Sequence, residues 1–343
     1  MKRAVFFLLF ALFASAVPAS RPHRLKVGLV LGGGGAKGAA EVGVLKVLEE
    51  EEIPVDYIAG TSIGALVGGL YSTGYRADFL RSLFRHCDWA ALFSDYAVEH
   101  RRKFLSSDAG RTYIFGLPLP FQRTDADGAA SFSPGLVEGR NISALLQELT
   151  AKYKKSRRFS RLPIPFACVA VDLRTLEERV LTEGVLWRAM RASMSIPGIF
   201  MPVEWGGAQL IDGGALNNLP VDVVRQMGAD IVICVDLQQR EEDVTEVSFF
   251  ARLGDMLMGQ ARDRYVTNRL DADFYIHPQI PYGPLHFSRS ATDEMYQLGY
   301  AAADALRPQL RDLKRYLLEP TRLRPQFPRV VTADSVRSQP ALP

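Results

Sequence analysis

The chain has 343 residues, enough for a complete hydrophobic core, and its 48% hydrophobic and 23% charged residues exclude a largely disordered or fibrous protein. Lys and Arg number 41 against 38 Asp and Glu, a formal charge of +3, so no nucleic-acid partner that needs a strongly basic surface is expected. Three cysteines, Cys87, Cys168 and Cys234, cannot build a disulfide framework, and no Cys/His cluster has metal-ligand spacing.

Lys2 and Arg3 precede an apolar run from Ala4 to Ala14, followed by the small-residue stretches Ala14-Ser15-Ala16 and Val17-Pro18-Ala19. A basic start, a short apolar stretch and an A-x-A-like site read as a signal peptide over residues 1–19. The run is shorter than the ~20 residues that span a bilayer. An exported protein is expected, periplasmic or secreted.

Leu25 to Leu31 is an aliphatic run stopped by glycines, the pattern of a buried strand in an α/β sheet. Val42, Leu45 and Leu48 recur at helical spacing within a helix over 38–51. Pro54 breaks it, a second strand is predicted over 55–59, and a helix over 63–72 stops near Gly74. The stretch 86–140 is irregular and holds Phe115-Gly-Leu-Pro-Leu-Pro-Phe121, either a mobile apolar lid or a buried loop. A helix over 141–153 follows, then a strand over 166–171, a helix over 186–194 and two short strands between 201 and 211. A helix over 220–227 leads to a fully buried strand over 230–236. Helices over 249–267 and 291–317 flank a strand over 272–276. Strands alternating with helices imply a mostly parallel sheet covered on both faces. From residue 319 the chain reads as a Pro/Arg-rich tail.

Three motifs carry chemistry. Gly32-Gly33-Gly34-Gly35-Ala36-Lys37-Gly38 lies between a strand and a helix, where main-chain N–H groups and the helix dipole favour an anion. That anion could be a phosphate or the oxyanion of an acyl transfer. Lys37 is followed by Gly38 rather than Ser or Thr, so this is not a Walker A loop. Gly33, Gly35 and Gly38 fit dinucleotide spacing, but Asp56 lies near the start of the second strand rather than at its end.

Gly60-Thr61-Ser62-Ile63-Gly64 stands between the second strand and the next helix. In that setting G-x-S-x-G is a nucleophile elbow that lifts the serine above the sheet. A serine needs a base, and five histidines are available, of which His277 and His286 follow a late strand. Asp212-Gly213-Gly214 offers another base at the end of an apolar run. Each motif alone also fits a plain structural turn.

Together and in this order, the three motifs resemble the patatin-like phospholipase family, as do Arg191-Ala-Ser-Met-Ser-Ile-Pro-Gly-Ile-Phe-Met-Pro202 and Asn217-Asn-Leu-Pro-Val221. The resemblance implies a three-layer α/β/α fold with a mostly parallel central sheet over 25–318. It further implies a Ser62–Asp212 dyad that hydrolyses lipid acyl esters, with no cofactor and no metal. Gly33, Gly34 and Gly35 would supply most of the oxyanion hole, supported by Ala36, Lys37 and Gly38. Gly60, Thr61, Ile63 and Gly64 would hold the serine, and Gly213 and Gly214 the aspartate. The implied partner is a phospholipid or other acyl lipid, with peripheral membrane contact. Lys152-Tyr-Lys-Lys-Ser-Arg-Arg-Phe-Ser-Arg161 could serve that contact, or be a solvated linker. Open alternatives are an esterase or thioesterase on smaller acyl groups, a histidine triad, a dinucleotide-binding protein, and a non-catalytic lipid-binding protein.

Overall fold

A computed structural model describes residues 24–95, 137–238 and 261–318. The expected leader, the 115–121 segment, residues 249–260 of the helix expected over 249–267, and the tail from 319 lie outside them. In chain order the elements begin with β1 (Val27–Leu31), α1 (Gly38–Glu50), β2 (Tyr57–Thr61), α2 (Ile63–Ser72), α3 (Ala77–His86), the single turn α4 (Trp89–Leu92) and α5 (Arg140–Leu149). They continue with β3 (Arg157–Arg158), β4 (Phe166–Asp172), β5 (Glu177–Leu181), β6 (Glu183–Gly184), α6 (Leu186–Ser193), β7 (Val203–Trp205) and β8 (Ala208–Asp212). Last come α7 (Val221–Gln226), β9 (Ile231–Val235), α8 (261–271), β10 (Phe274–Ile276), α9 (Arg289–Asp304) and α10 (Arg307–Leu318).

Strands β10, β9, β1, β2 and β4 lie side by side and parallel. Their side chains alternate between two cores. Leu29, Leu31, Ile58, Ile233 and Val235 join α1, α2 and α9 on one face. Val30, Ala59, Val232 and Cys234 join Val221 and Val224 of α7 on the other. The three layers follow directly from this two-sided burial.

Strand β4 is where the parallel order ends. Its first half pairs with β2, from Ile58 opposite Phe166 to Thr61 opposite Val169. Its last three residues pair antiparallel with β8, from Asp172 opposite Leu210 to Ala170 opposite Asp212. Ile58 N–H donates to Pro165 O and Leu173 N–H to Gln209 O, so the odd-numbered residues of β4 face both partners. β2 and β8 therefore lie end to end along one flank of β4, and β5 takes the other flank.

Helices α1 and α9 pack almost backbone to backbone. A Cβ on Gly299 would stand 1.9 Å from Ala40 O, and one on Gly43 2.2 Å from Tyr296 O. Only glycine permits that approach.

Three expectations are corrected. The second strand runs from Tyr57 rather than over 55–59, because the Asp56 carboxylate turns back to accept Val27 N–H at 2.9 Å. The helix expected over 141–153 ends at Leu149, and a 3-10 turn follows at Ala151–Tyr153. The helix expected over 291–317 is two helices that part at Ala305–Leu306, with Pro308 in the first turn of α10. There the missing N–H of proline costs nothing. The charged edge strand β5 was not anticipated, since Glu177-Glu-Arg-Val-Leu181 lacks an apolar run.

The basic run lies at the end of the sheet away from Ser62. It leads into the start of β4, where Ile164 N–H donates to Ser72 O at the far end of α2. Among the described residues, no helix is long and apolar enough to cross a membrane.

Candidate active site

The end-to-end placement of β2 and β8 brings Ser62 to Asp212 across 150 residues of sequence. Ser62 Oγ donates to Asp212 Oδ2 at 2.6 Å, and Gly214 N–H donates to Asp212 Oδ1 at 2.8 Å. Both side chains are buried. Burial pushes the Asp212 carboxyl up to about 6, against the opposing pull of the bonds from Ser62 and Gly214. An unprotonated carboxylate with such a raised affinity for protons is a better base than an exposed aspartate.

Ser62 sits at φ 55° and ψ −122°, outside the regions that L-residues favour. This is the backbone strain of an elbow, on the order of 1–3 kcal/mol. The neighbouring glycines make it sterically feasible. A Cβ on Gly64 would lie 2.1 Å from Leu31 O, and one on Gly60 2.4 Å from Gly64 O. Thr61 Oγ1 donates to Asn217 O at 2.8 Å, tying the elbow to the loop behind Asp212. Ile63 is buried against the start of α1, where a Cβ on Gly38 would meet it at 2.4 Å.

The glycine loop passes beside the serine. A Cβ on Gly33 would stand 3.1 Å from Ser62 Cβ. Among the described residues, the N–H groups of Gly33, Gly34 and Gly35 have no acceptor. Unused main-chain donors beside a nucleophile are the makings of an oxyanion hole. The loop is fixed from outside: Ala36 N–H donates to Pro284 O at 2.7 Å, and Asn218 Nδ2 to Gly33 O at 3.1 Å. Lys37 Nζ donates to Leu237 O at 3.2 Å, and burial draws its ammonium below the ordinary range. Gly213 packs on Val169 O, from which an added Cβ would stand 2.3 Å away.

Two supporting groups escaped the reading of the sequence. Ser193 Oγ accepts Ser62 N–H at 3.0 Å and donates to Val169 O at 2.6 Å. Ser195 O accepts Asp212 N–H at 3.0 Å. The Ser195 hydroxyl is held by Arg191 Nη1 at 2.7 Å, and the guanidinium lies over the Phe200 ring. Both serines belong to the block 191–202, but nothing in their spacing shows which atoms they serve.

The described histidines stand elsewhere. His277 Nδ1 bonds to Asp236 O at 3.1 Å, and the His286 ring packs on Tyr282. His86 bonds to Ser82 O. Among the described residues, no histidine bonds to Ser62. The dinucleotide alternative also loses its acid, since Asp56 is occupied by Val27 N–H and Lys26 at the far end of β1.

A family model for patatin-like phospholipases matches residues 29–225, more than half of the chain, and the match includes Gly33, Ser62 and Asp212. Lysophospholipase nte1 of Aspergillus niger is 31% identical over 307 residues, covering 80% of this chain and 18% of its own length. A patatin-like phospholipase domain-containing protein of Caenorhabditis elegans is 38% identical over 218 residues, covering 63% of this chain and 14% of that protein. The chain thus spans less than a fifth of the length of these relatives. VipD from Legionella pneumophila superposes with a TM-score of 0.48 at 16% identity, covering 84% of this chain and 67% of that one. On the extent of the family match, with the motif residues inside it, the chain belongs to the patatin-like phospholipase family.

Proposed function

We propose that the protein hydrolyses acyl esters of lipids, with Ser62 as nucleophile and Asp212 as general base. The observation that carries this reading is the buried 2.6 Å hydrogen bond from Ser62 Oγ to Asp212 Oδ2, alongside glycine N–H groups that find no acceptor among the described residues. Asp212 takes the serine proton as Oγ attacks the ester carbonyl, and the loop 33–35 holds the negative charge that develops on the carbonyl oxygen. The proton passes to the departing alcohol, leaving an acyl-serine. Water, deprotonated by Asp212, releases the fatty acid. A lipid substrate is supported by the names of the relatives, which are lysophospholipases and a patatin-like phospholipase.

Export, and peripheral contact with a membrane, form part of the same proposal. The basic, apolar and small-residue order of residues 1–19 supports export.

The test is fatty-acid release from mixed phospholipid and lysophospholipid vesicles. Wild type should release fatty acid, and Ser62→Ala and Asp212→Asn should each lose about 10³-fold or more in kcat while remaining folded. Full activity in Ser62→Ala would overturn the assignment. Activity retained in Asp212→Asn would leave the base unassigned.

A further inference from the structure

Of the glycine N–H groups beside Ser62, those of Gly34 and Gly35 belong to peptides whose carbonyls accept hydrogen bonds. In a trans peptide the C=O and the N–H point in opposite directions, so whatever holds the carbonyl also aims the N–H. Gly34 O accepts the main-chain N–H of Lys37 at 3.3 Å, within the turn that leads into α1, and this sets the Gly35 N–H. Gly33 O accepts from a side chain instead, the Asn218 amide at 3.1 Å, and this sets the Gly34 N–H.

Glycine stands on both sides of the Gly33–Gly34 peptide, and glycine reaches left-handed and right-handed backbone at similar cost. A peptide flanked in that way turns over readily. Turned over, it would present the Gly33 oxygen where the Gly34 N–H had been, and the charge of a tetrahedral intermediate would meet a lone pair rather than a donor.

The loop behind Asp212 places Asn218 for this task. Its neighbour Asn217 is pinned from several sides: its carbonyl accepts Thr61 Oγ1 at 2.8 Å, its Nδ2 donates to Glu178 and Asp222, and its Oδ1 accepts Asn268 Nδ2 at 3.1 Å. The Asn218 amide then lies between the glycine loop and the aspartate loop. A Cβ on Gly33 would stand 2.4 Å from Asn218 Oδ1, and one on Gly214 2.8 Å from it. Two motif glycines thus leave room for this one side chain, whose nitrogen is turned to Gly33 O. Among the described residues, no bond joins Asn218 to Ser62 or Asp212, so its effect passes through the loop.

We propose that Asn218 is a positioning residue for the oxyanion hole: its amide fixes the Gly33–Gly34 peptide and so keeps the Gly34 N–H available to the developing charge. The inference rests on the acyl hydrolase reading and adds to it the residue that keeps the hole formed.

Asn218→Leu keeps the shape of the side chain and removes the donor. With a p-nitrophenyl ester as substrate, kcat should fall about 10²-fold, the loss of one oxyanion donor, while KM stays within about twofold. A long-chain trifluoromethyl ketone, which adds to the serine hydroxyl as a hemiketal oxyanion, should bind about 10²-fold more weakly as well. The corresponding secondary alcohol carries no oxyanion and should bind equally to both proteins. A structural role alone would weaken ketone and alcohol together. Unchanged kcat, or equal losses of ketone and alcohol affinity, would overturn the proposal. Asn218→Ala only removes atoms and gives the same comparison if the leucine variant does not fold.

The ester and the ketone report on Ser62 whatever lipid the enzyme prefers. If wild type cleaves the ester and binds the ketone but releases nothing from lipid vesicles, the lipid reading fails and the role of Asn218 is still decided. If wild type neither cleaves the ester nor binds the ketone, the hydrolase reading fails and the proposal falls with it.

Discussion

The hydroxyl of Ser193 accepts the main-chain N–H of Ser62 at 3.0 Å and donates to Val169 O at 2.6 Å. It stands where β2 and β8 both end along the flank of β4, so it closes the ladder at the gap between two strands. It also uses up the one N–H that the nucleophile itself could offer to an oxyanion.

Replacing Ser193 with Ala leaves a buried donor and a buried acceptor without partners, at a cost of roughly 1–3 kcal/mol. Because the bond holds the strained elbow, kcat should fall about tenfold with KM nearly constant, the mark of an interaction that matters in the transition state. Steady-state kinetics with unfolding curves on the same preparation will check both numbers. A pure stability loss with unchanged kcat would show that the elbow holds its shape without Ser193.

Asp212 sets the pH behaviour. Its carboxyl titrates at about 6 in the folded protein against an ordinary 3.8, so the acid limb of kcat should fall near pH 6. The folded state holds this proton more tightly than the unfolded one. Between about pH 4 and pH 6 stability therefore decreases as pH rises, and above that the deficit is constant. Asp212→Asn removes the buried charge. It should be inactive yet more stable than wild type at pH 8 by up to roughly 3 kcal/mol, with no gain at pH 4. Equal stability at pH 8 would show that the bonds from Ser62 and Gly214 offset the burial.

Two glycines give opposite forecasts. Gly64→Ala drives a methyl to within 2.1 Å of Leu31 O, a rigid main-chain atom, and should abolish the fold or cost about 3 kcal/mol or more. At Gly283 an added Cβ meets nothing within 4 Å and the backbone φ is not positive. Gly283→Ala should be neutral, or stabilise by about 0.4–1 kcal/mol through the unfolded chain. Melting temperatures of the pair decide the matter.

Arg191 is fully enclosed: Nη1 donates to Ser195 Oγ, Nη2 to Glu138 O at 3.0 Å, and the guanidinium covers Phe200. Arg191→Ala combines a cavity with two lost bonds and should cost about 3 kcal/mol or more. Arg191→Lys should restore less than half of that, since one ammonium cannot span both acceptors. Because Ser195 O receives Asp212 N–H, kcat should drop in both variants.

The parallel strands and the serine elbow were legible in the sequence because each is local. Aliphatic runs ended by glycine name a buried strand, and Gly60 to Gly64 names its own turn. The meeting of Ser62 and Asp212 was visible only through the family resemblance. It depends on β8 reversing direction along the flank of β4 that β2 leaves vacant, which no local pattern encodes. Charged β5 was hidden for a related reason, since an edge strand needs no apolar face of its own. The break between α9 and α10 did have a signal, Pro308, which fits a helix start as well as a helix interior is disfavoured.

The last third of the described chain lies beyond the family match, yet it holds much of what the match contains. β9 covers the open edge of β1, Leu237 backs Gly34, and Pro284 O receives Ala36 N–H. A fragment trimmed to the matched residues would expose an aliphatic strand edge to self-association. It would also release the loop that has to meet a developing charge. For expression work, the smallest sensible unit runs through α10, and the family match alone would draw the boundary some ninety residues too early.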